Sequence, residues 1–239
     1  MVLSFASLSN YKLLSKLLVP DWNVTKIGHA NETLYSVDCC QNILSVTYPV
    51  GSYKPSASVQ GGLGFYASPD KYFPSDTITL QYLVKFADNF DWVKGGKLPG
   101  LYFGKPGASG GRFSTDAASI RIMWREEGEA EAYIYLPKDT VQPAAYFKTT
   151  DIIYNNGKGD SLWRGRFKLD KTNWNFISIV IKPNILTVTI NNVRKSTEIN
   201  WNNLMVSGII FDTFFGGDDA TWATPVTTKS LFKDLQLLK

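Results

Sequence analysis

The stretch TITLQYLVKF, residues 77–86, alternates apolar with mostly polar side chains along its length. Its apolar set falls on every second residue, at Ile78, Leu80, Tyr82, Val84 and Phe86. Because successive side chains of a strand point to opposite faces, a period of two predicts a β-strand with one face against a core. The same alternation recurs in residues 118–124, 132–136, 176–183, 186–191, 208–215 and 230–238.

Turn-forming residues such as Asn156-Gly157 and Pro183-Asn184 separate these runs. Many short strands with turns between them predict an all-β chain, a jelly-roll β-sandwich of two antiparallel sheets. One sheet of such a fold can curve and leave a concave substrate groove, which suits a polymer. We therefore predict a single domain over residues 1–239, in which residues 1–20 add a short N-terminal helix that stops at Pro20.

Composition narrows the class of protein. Aromatic residues make up 14% of the chain, which suits both strands and sugar-binding clefts. The net charge of +4 comes with no run of five Lys or Arg residues and no stretch apolar enough for a membrane span, so we expect neither nucleic acid nor membrane as a partner. No signal peptide is visible, because Lys12 and Lys16 interrupt the apolar N-terminus. Adjacent Cys39 and Cys40 match neither a disulfide framework nor metal-ligand spacing, so no metal is expected.

A predicted hairpin gathers polar side chains within SIRIMWREEGEAEAYIY, residues 119–135. The Glu126–Glu129 stretch predicts the turn, and the aliphatic and Trp residues on either side of it would face the core. Four polar side chains would then share the opposite, exposed face of two neighbouring strands: Ser119, Arg121, Tyr133 and Tyr135. Arginine binds carboxylates, and a phenol can transfer protons when nearby cations lower its pKa. This set indicates a functional site, although cross-strand packing is the simpler interpretation of two tyrosines alone.

Residues 91–100, DWVKGGKLPG, are predicted to form a loop that carries two lysines. The glycines between Lys94 and Lys97 would let the backbone approach a bound chain closely, and Pro99 would fix the end of the loop. An ordinary solvated turn is the alternative for such a stretch.

Other acid–base candidates are weaker. His29 is the only histidine and lies far along the chain from the hairpin, so we expect it to be structural or exposed, and Ser-His-Asp catalysis has no histidine to use. Glu127, Glu129 and Glu131 alternate as carboxylates do in some retaining glycosidases, but the predicted turn would keep them off one regular strand. A glycoside hydrolase is thus a less favoured alternative.

Three blocks of the sequence resemble the signature blocks of polysaccharide lyase family 14, in particular its alginate and polyglucuronate lyases from chlorella viruses. The blocks are DWVKGGKLPGLYFG (91–104), SIRIMWREEGEAEAYIY (119–135) and FDTFFGGDDATWA (211–223). They occur in the family's order, and the resemblance covers most of the chain after about residue 50. Three ordered blocks are far more specific than one.

The resemblance implies a jelly-roll enzyme that cleaves 1,4-linked polyuronates by β-elimination without a cofactor. It places the family's catalytic residues at Lys97, Ser119, Arg121, Tyr133 and Tyr135. We expect Lys97 to neutralise the uronate carboxylate, Arg121 to hold it in register, and the tyrosine pair to transfer protons, with Tyr135 favoured as the base and activity highest at alkaline pH.

Three further residues are expected to bind substrate: Lys94, Arg112 and Trp222. The resemblance implies an acidic polysaccharide as the partner. We expect a monomeric enzyme that acts outside the cell and degrades algal cell walls. Its association with a virus particle stays open. A non-catalytic carbohydrate-binding module on the same sandwich is the alternative from another class. The preferred uronate and endo or exo action stay open.

Overall fold

A computed structural model describes residues 3–5, 22–149 and 151–239 of the chain. The helix predicted within residues 1–20 lies outside the described residues. The strands are β1 (Val24–His29), β2 (Tyr35–Asp38), β3 (Ile43–Tyr48), β4 (Leu63–Ala67), β5 (Ile78–Phe86), β6 (Gly96–Gly104), β7 (Ala117–Trp124), β8 (Glu129–Tyr135), β9 (Asp160–Lys168), β10 (Asn175–Lys182), β11 (Ile185–Ile190), β12 (Val193–Glu198), β13 (Val206–Phe215) and β14 (Thr228–Leu238). One helical turn, α1 (Ala144–Phe147), and 3-10 turns at Glu32–Leu34, Glu126–Gly128 and Ala220–Trp222 complete the described elements.

These strands form two seven-stranded sheets in which every neighbouring pair runs antiparallel. The first, here called the site sheet, has the order β1-β4-β13-β6-β7-β8-β9, and the second, the back sheet, has the order β12-β11-β10-β5-β14-β3-β2. Sequence neighbours are thus often separated in space, as in a jelly roll, and the predicted fold class is confirmed. Among the described residues, no helix is long and apolar enough to cross a membrane.

The core lies between the two sheets and is built from the alternating apolar residues. The alternating residues Ile78, Leu80, Tyr82, Val84 and Phe86 of β5 are all at most 1% exposed, which confirms the period of two. Aromatic rings fill the space between the sheets, and Phe90 packs against Trp124 and Phe215 at ring-centre distances of 5.5 and 5.1 Å. Burying one such side chain contributes about 1.5–3 kcal/mol to stability, so this layer fixes how the site sheet sits on the back sheet.

The predicted hairpin forms as β7 and β8, joined by the 3-10 turn Glu126–Gly128. Glu127 has φ 54° and Gly128 has φ 78°, so the chain reverses through two left-handed residues. In the resulting register Ser119 lies opposite Tyr135 and Arg121 opposite Tyr133. The hairpin therefore places these four side chains on one face of the site sheet, as the sequence predicts.

Lys97 lies on a strand, and the prediction that it sits on a loop is wrong. Residues from Gly96 onward form β6, which pairs with β7 on one side and β13 on the other, and Lys97 lies opposite Met123. The glycine is needed for packing and not for flexibility, because a Cβ on Gly96 would lie 2.1 Å from the Trp124 ring. Only a residue without a side chain lets β6 pass the core tryptophan.

Pro99 marks a bulge within β6. The pairing with β7 shifts between Leu98 and Gly100, so Pro99 is the extra residue, and its missing N–H is no loss there. Its carbonyl accepts a hydrogen bond from the Tyr82 hydroxyl at 2.9 Å. Lys97 precedes the bulge and shares the face of Arg121 because it lies opposite Met123, and the bulge brings the later residue Tyr102, opposite Ser119, onto that face as well.

Candidate active site

The candidate site occupies the side of the site sheet turned away from the core, here called the site face. Lys97 stands near its centre, 8% exposed. Its ammonium nitrogen lies 3.5 Å from the centre of the Tyr133 ring and contacts the Met123 sulfur. No carboxylate oxygen in the described part of the chain lies within 4.0 Å of it. A ring face and a thioether are weak partners for a buried charge.

The surroundings make Lys97 an unusually weak base for a lysine. Burial lowers its pKa most, and the positive charges of Arg121 and Arg125 lower it further, while Glu131 and Asp212 act in the opposite direction. The net result is a pKa well below the usual lysine value. Such an amine loses its proton more readily than an exposed lysine, and it can then accept one during catalysis.

Glu131 is fully buried on the site face and is held by two arginines. It accepts from Arg125, from Arg164 at 2.7 Å and from the Ser161 hydroxyl at 2.9 Å. Burial raises the pKa of the carboxyl, but the attraction of Arg125 and then Arg164 outweighs burial, and the net pKa is lowered. Glu131 therefore stays ionised, and it holds Arg125, one of the cations that act on Lys97.

Ionised Glu131 removes the support for a glycosidase. A retaining glycosidase needs one carboxyl group as a proton donor beside a nucleophilic carboxylate. Glu131 is ionised, and Glu127 lies in the turn while Glu129 and Glu131 lie on β8. The predicted break in this acidic run is confirmed.

Tyr133 and Tyr135 stand side by side on β8, with ring centres 5.7 Å apart. Burial, and then the neighbouring Tyr135, raise the pKa of the Tyr133 phenol, so it keeps its proton. The Tyr135 hydroxyl accepts from the Gly111 amide at 2.9 Å. A protonated phenol beside a deprotonation-prone amine is a matched acid and base.

Loops cover the site face, which the sequence was expected to leave exposed. Ser119 and Tyr135 are both 1% exposed although they point away from the core. The Ser119 hydroxyl donates to the Ala108 carbonyl at 2.6 Å, so the loop between β6 and β7 lies directly above it. Strand alternation predicts which face a side chain takes, but not what a loop from elsewhere lays over that face.

Arg121 is anchored by an aspartate that sequence reasoning did not select. Its Nη1 donates to the Asp212 carboxylate at 2.7 Å, and Arg121 is 2% exposed. Asp212 in turn lies 3.8 Å from the His29 ring nitrogen Nδ1. His29 is far from the hairpin along the chain but lies beside the site in space, because β1 and β13 are separated only by β4 in the sheet.

The three predicted substrate-binding residues lie on loops around this centre. Lys94 is exposed and its amine donates to the Thr221 hydroxyl at 2.6 Å. Arg112 is exposed on the loop that also reaches Tyr135. Trp222 packs over Gly217 and its ring lies 5.8 Å from the Arg125 guanidinium. They form a rim and not the centre.

The residues that sequence reasoning missed come from distant parts of the chain. Arg125 and Asp212 act electrostatically on Lys97, and Arg164 pairs with Glu131. Tyr66 and Tyr102 extend the face, with ring centres 5.2 Å apart. The sequence could have indicated Asp212, because it lies within the third family-like block. It also alternates with the core residues of β13 and so points to the site face. Among the described residues no group of three His, Cys, Asp or Glu side chains could hold a metal ion.

A jelly roll whose sheet face joins a lysine, an arginine and two tyrosines has the cations and proton-transfer groups that a polysaccharide lyase needs. The family model described as polysaccharide lyase 14 matches residues 37–235, and the chain belongs to that family. The crystal structure of the marine PL-14 alginate lyase from Aplysia kurodai is 30% identical, with a TM-score of 0.76 over 91% of this chain and 92% of that one.

Two other solved structures are similar. Alginate lyase vAL-1 from Chlorella virus is 28% identical, with a TM-score of 0.78 over 92% of this chain and 93% of that one. A mutant of alginate lyase Aly36B in complex with alginate trisaccharide is 21% identical, with a TM-score of 0.69 over 89% and 87% of the two chains, and this likeness concerns the fold alone. A search of curated proteins gave no match.

Proposed function

We propose that this polysaccharide lyase cleaves 1,4-linked polyuronates, alginate or polyglucuronate, by β-elimination at the site face. The observation that carries the proposal is the contact of Lys97 with Tyr133 beside Arg121, which supplies a base, an acid and a cation within one cluster. The alginate lyases from Aplysia kurodai and from Chlorella virus among the similar structures support an acidic polysaccharide as the substrate.

The reaction needs a cation at the uronate carboxylate. Removing the proton from C5 leaves an electron pair that delocalises into the adjacent carboxylate, and a fixed cation stabilises that charge. One terminal nitrogen of Arg121 donates to Asp212, while its Nε is buried without a hydrogen-bond partner among the described residues. A buried donor without an acceptor costs about 1–3 kcal/mol, and a bound carboxylate would satisfy it.

Lys97 then takes the C5 proton, and Tyr133 donates a proton to O4 as the C4–O4 bond breaks. The electron pair left at C5 forms the C4–C5 double bond, so the products are a new chain end and an unsaturated uronate. The lowered pKa of Lys97 and the raised pKa of Tyr133 support this division. The sequence predicts a different assignment, in which Tyr135 is the base and Lys97 neutralises the carboxylate. Variants of Tyr133 and Tyr135 distinguish the two schemes.

The test measures ultraviolet absorbance of the conjugated product with polymannuronate, polyguluronate and polyglucuronate. We expect the absorbance to rise with at least one of the three polymers. The Lys97→Met variant should bind the same polymer without forming the absorbing product. Binding by the wild type without any absorbance would instead identify a carbohydrate-binding module. We further propose that the enzyme acts as a monomer outside the cell on algal cell-wall polysaccharide, which sedimentation and digestion of isolated walls test.

A further inference from the structure

A row of side chains crosses the site sheet at the level of Arg121. Tyr133 on β8 lies opposite Arg121 on β7, and Arg121 lies opposite Gly100 on β6. Beyond β6, Asp212 on β13 lies opposite Gly64 on β4, and Gly64 lies opposite His29 on β1. The row thus spans six neighbouring strands of the site sheet.

The charged side chains meet across two strands of the sheet, and a glycine leaves the space for one of these contacts. Arg121 on β7 reaches Asp212 on β13 across β6. His29 and Asp212 meet over Gly64, where an added Cβ would lie 2.4 Å from the imidazole and 2.8 Å from the Asp212 carboxylate. One continuous contact chain therefore runs from His29 at the β1 edge through Asp212 to Arg121.

Each member of this chain is shielded from water. The side chains of Arg121, Asp212 and His29 are 2%, 14% and 10% exposed. Burial lowers the pKa of His29 more than Asp212 raises it, so the imidazole is predominantly neutral. A neutral ring beside the aspartate excludes water without competing for its charge, and this strengthens the pair that Asp212 forms with Arg121.

We propose that Asp212 and His29 are positioning residues of the lyase reaction: Asp212 fixes the Arg121 guanidinium through one nitrogen, and His29 shields Asp212 from water. The remaining nitrogens of Arg121 then point to one place, where the uronate carboxylate binds. Arginine side chains lose considerable rotamer freedom on binding, so an arginine held in advance binds its carboxylate at a smaller entropic cost. This inference rests on the proposed function.

A double-mutant cycle tests the role of Asp212. Asp212→Asn keeps the shape but removes the charge, and we expect kcat/KM to fall about 10- to 100-fold, chiefly through KM, as expected for a lost charge-assisted hydrogen bond. In an Arg121→Lys background the same substitution should cost less than about threefold, because the fork that Asp212 positions is already gone. Equal losses in the two backgrounds would overturn the proposal. Assays run below each variant's unfolding temperature, so only folded protein is compared.

His29 has its own arm of the test. His29→Gln should lower kcat/KM several-fold in the wild type but not in Asp212→Asn, and equal losses in both would remove His29 from the proposal. The same cycles measured by urea unfolding report the Arg121–Asp212 contact without any substrate. A wild type that produces no unsaturated uronate from any polyuronate would refute the function alone, whereas additive unfolding energies would refute the contact itself.

Discussion

At the scale of single residues, burial of the Lys97 amine lowers the stability of the fold and makes the amine more reactive. A lysine that is 8% exposed, with a ring and a thioether as its nearest partners, is costly in a folded protein unless it gives up its proton. Buried and strongly perturbed ionisable groups are typical of catalytic sites. The same burial that weakens the fold thus prepares the amine to act as a base.

Lys97→Met should abolish turnover, with at least about a 10²-fold loss of kcat, and should leave the fold as stable as the wild type or more so. The stability gain depends on pH in a defined direction. Because the folded pKa of Lys97 is lowered, the unfolded chain binds more protons between that pKa and the usual value of about 10.4, and wild-type stability rises with pH in this window. Urea unfolding should therefore show the advantage of the variant shrinking as pH rises, and a gap independent of pH would contradict this account.

Tyr133→Phe removes the proposed proton donor while keeping the ring under the Lys97 amine. We expect kcat to fall about 10²-fold or more with little change in unfolding free energy. Tyr135→Phe is the matched control, since it removes the hydroxyl that accepts from Gly111. A larger loss of kcat in Tyr135→Phe than in Tyr133→Phe would favour the scheme with Tyr135 as the base.

At the scale of elements, β8 and β9 are tied by charge as well as by their ladder. Glu131 on β8 accepts from Arg164 on β9 and from Arg125 just after β7. Removing one partner of a buried ion pair leaves the other charge without compensation, which is more costly than losing the pair as a whole. This edge of the sheet therefore depends on a single carboxylate.

Glu131→Gln should lower the unfolding free energy by about 3 kcal/mol, because two arginines lose their counter-charge. It should also shift the acid side of the kcat–pH profile to lower pH, since the Glu131 charge raises the pKa of Lys97. Asp116→Asn, which breaks the exposed pair with Lys105, is the control and should change neither. An unshifted profile in a folded Glu131→Gln enzyme would rule Lys97 out as the titrating group.

An ion pair between Lys158 and Asp218, 3.1 Å long, joins the loop before β9 to the loop after β13. We call this ion pair the strap. Lys158 precedes β9 and Asp218 follows β13, and these strands flank β6, β7 and β8 in the sheet. The pair is exposed, so it is weak, and we expect the proposed polyuronate substrate to replace Asp218 as the partner of Lys158. We expect a chain that enters from the side to break this pair.

Asp218→Asn should therefore ease entry of internal chain segments. We expect a larger loss of polymer viscosity per unsaturated end formed, compared with the wild type. Asp76→Asn, an exposed aspartate before β5, serves as the control. An unchanged ratio of viscosity loss to end formation would show that the strap does not restrict entry.

At the scale of the whole molecule, charge favours an acidic polymer. The chain carries a net charge of +4, and the exposed rim residues Lys94 and Arg112 add cations around the buried centre. Exposed charges attract a polyanion over about 10 Å at 0.1 M salt, and higher salt screens them. The buried centre is screened much less.

Added salt should therefore raise KM for a polyuronate several-fold while kcat changes little. Initial rates across a salt series at fixed pH measure both. Lys94→Ala combined with Arg112→Ala should flatten the dependence of KM on salt. If kcat falls in parallel with the rise of KM, the screened charges belong to the catalytic centre and not to the rim.

The sequence by itself determined the sandwich, the β7–β8 hairpin and the shared face of Ser119, Arg121, Tyr133 and Tyr135, because a period of two and a turn signal are local properties. The resemblance in three blocks pointed to the family. Tertiary structure alone decided that Lys97 lies on a strand, that Glu131 joins two arginines, and that His29 and Asp212 stand behind Arg121. Those relations depend on which strands become neighbours, and in a jelly roll neighbouring strands come from distant parts of the chain, so no local pattern encodes them.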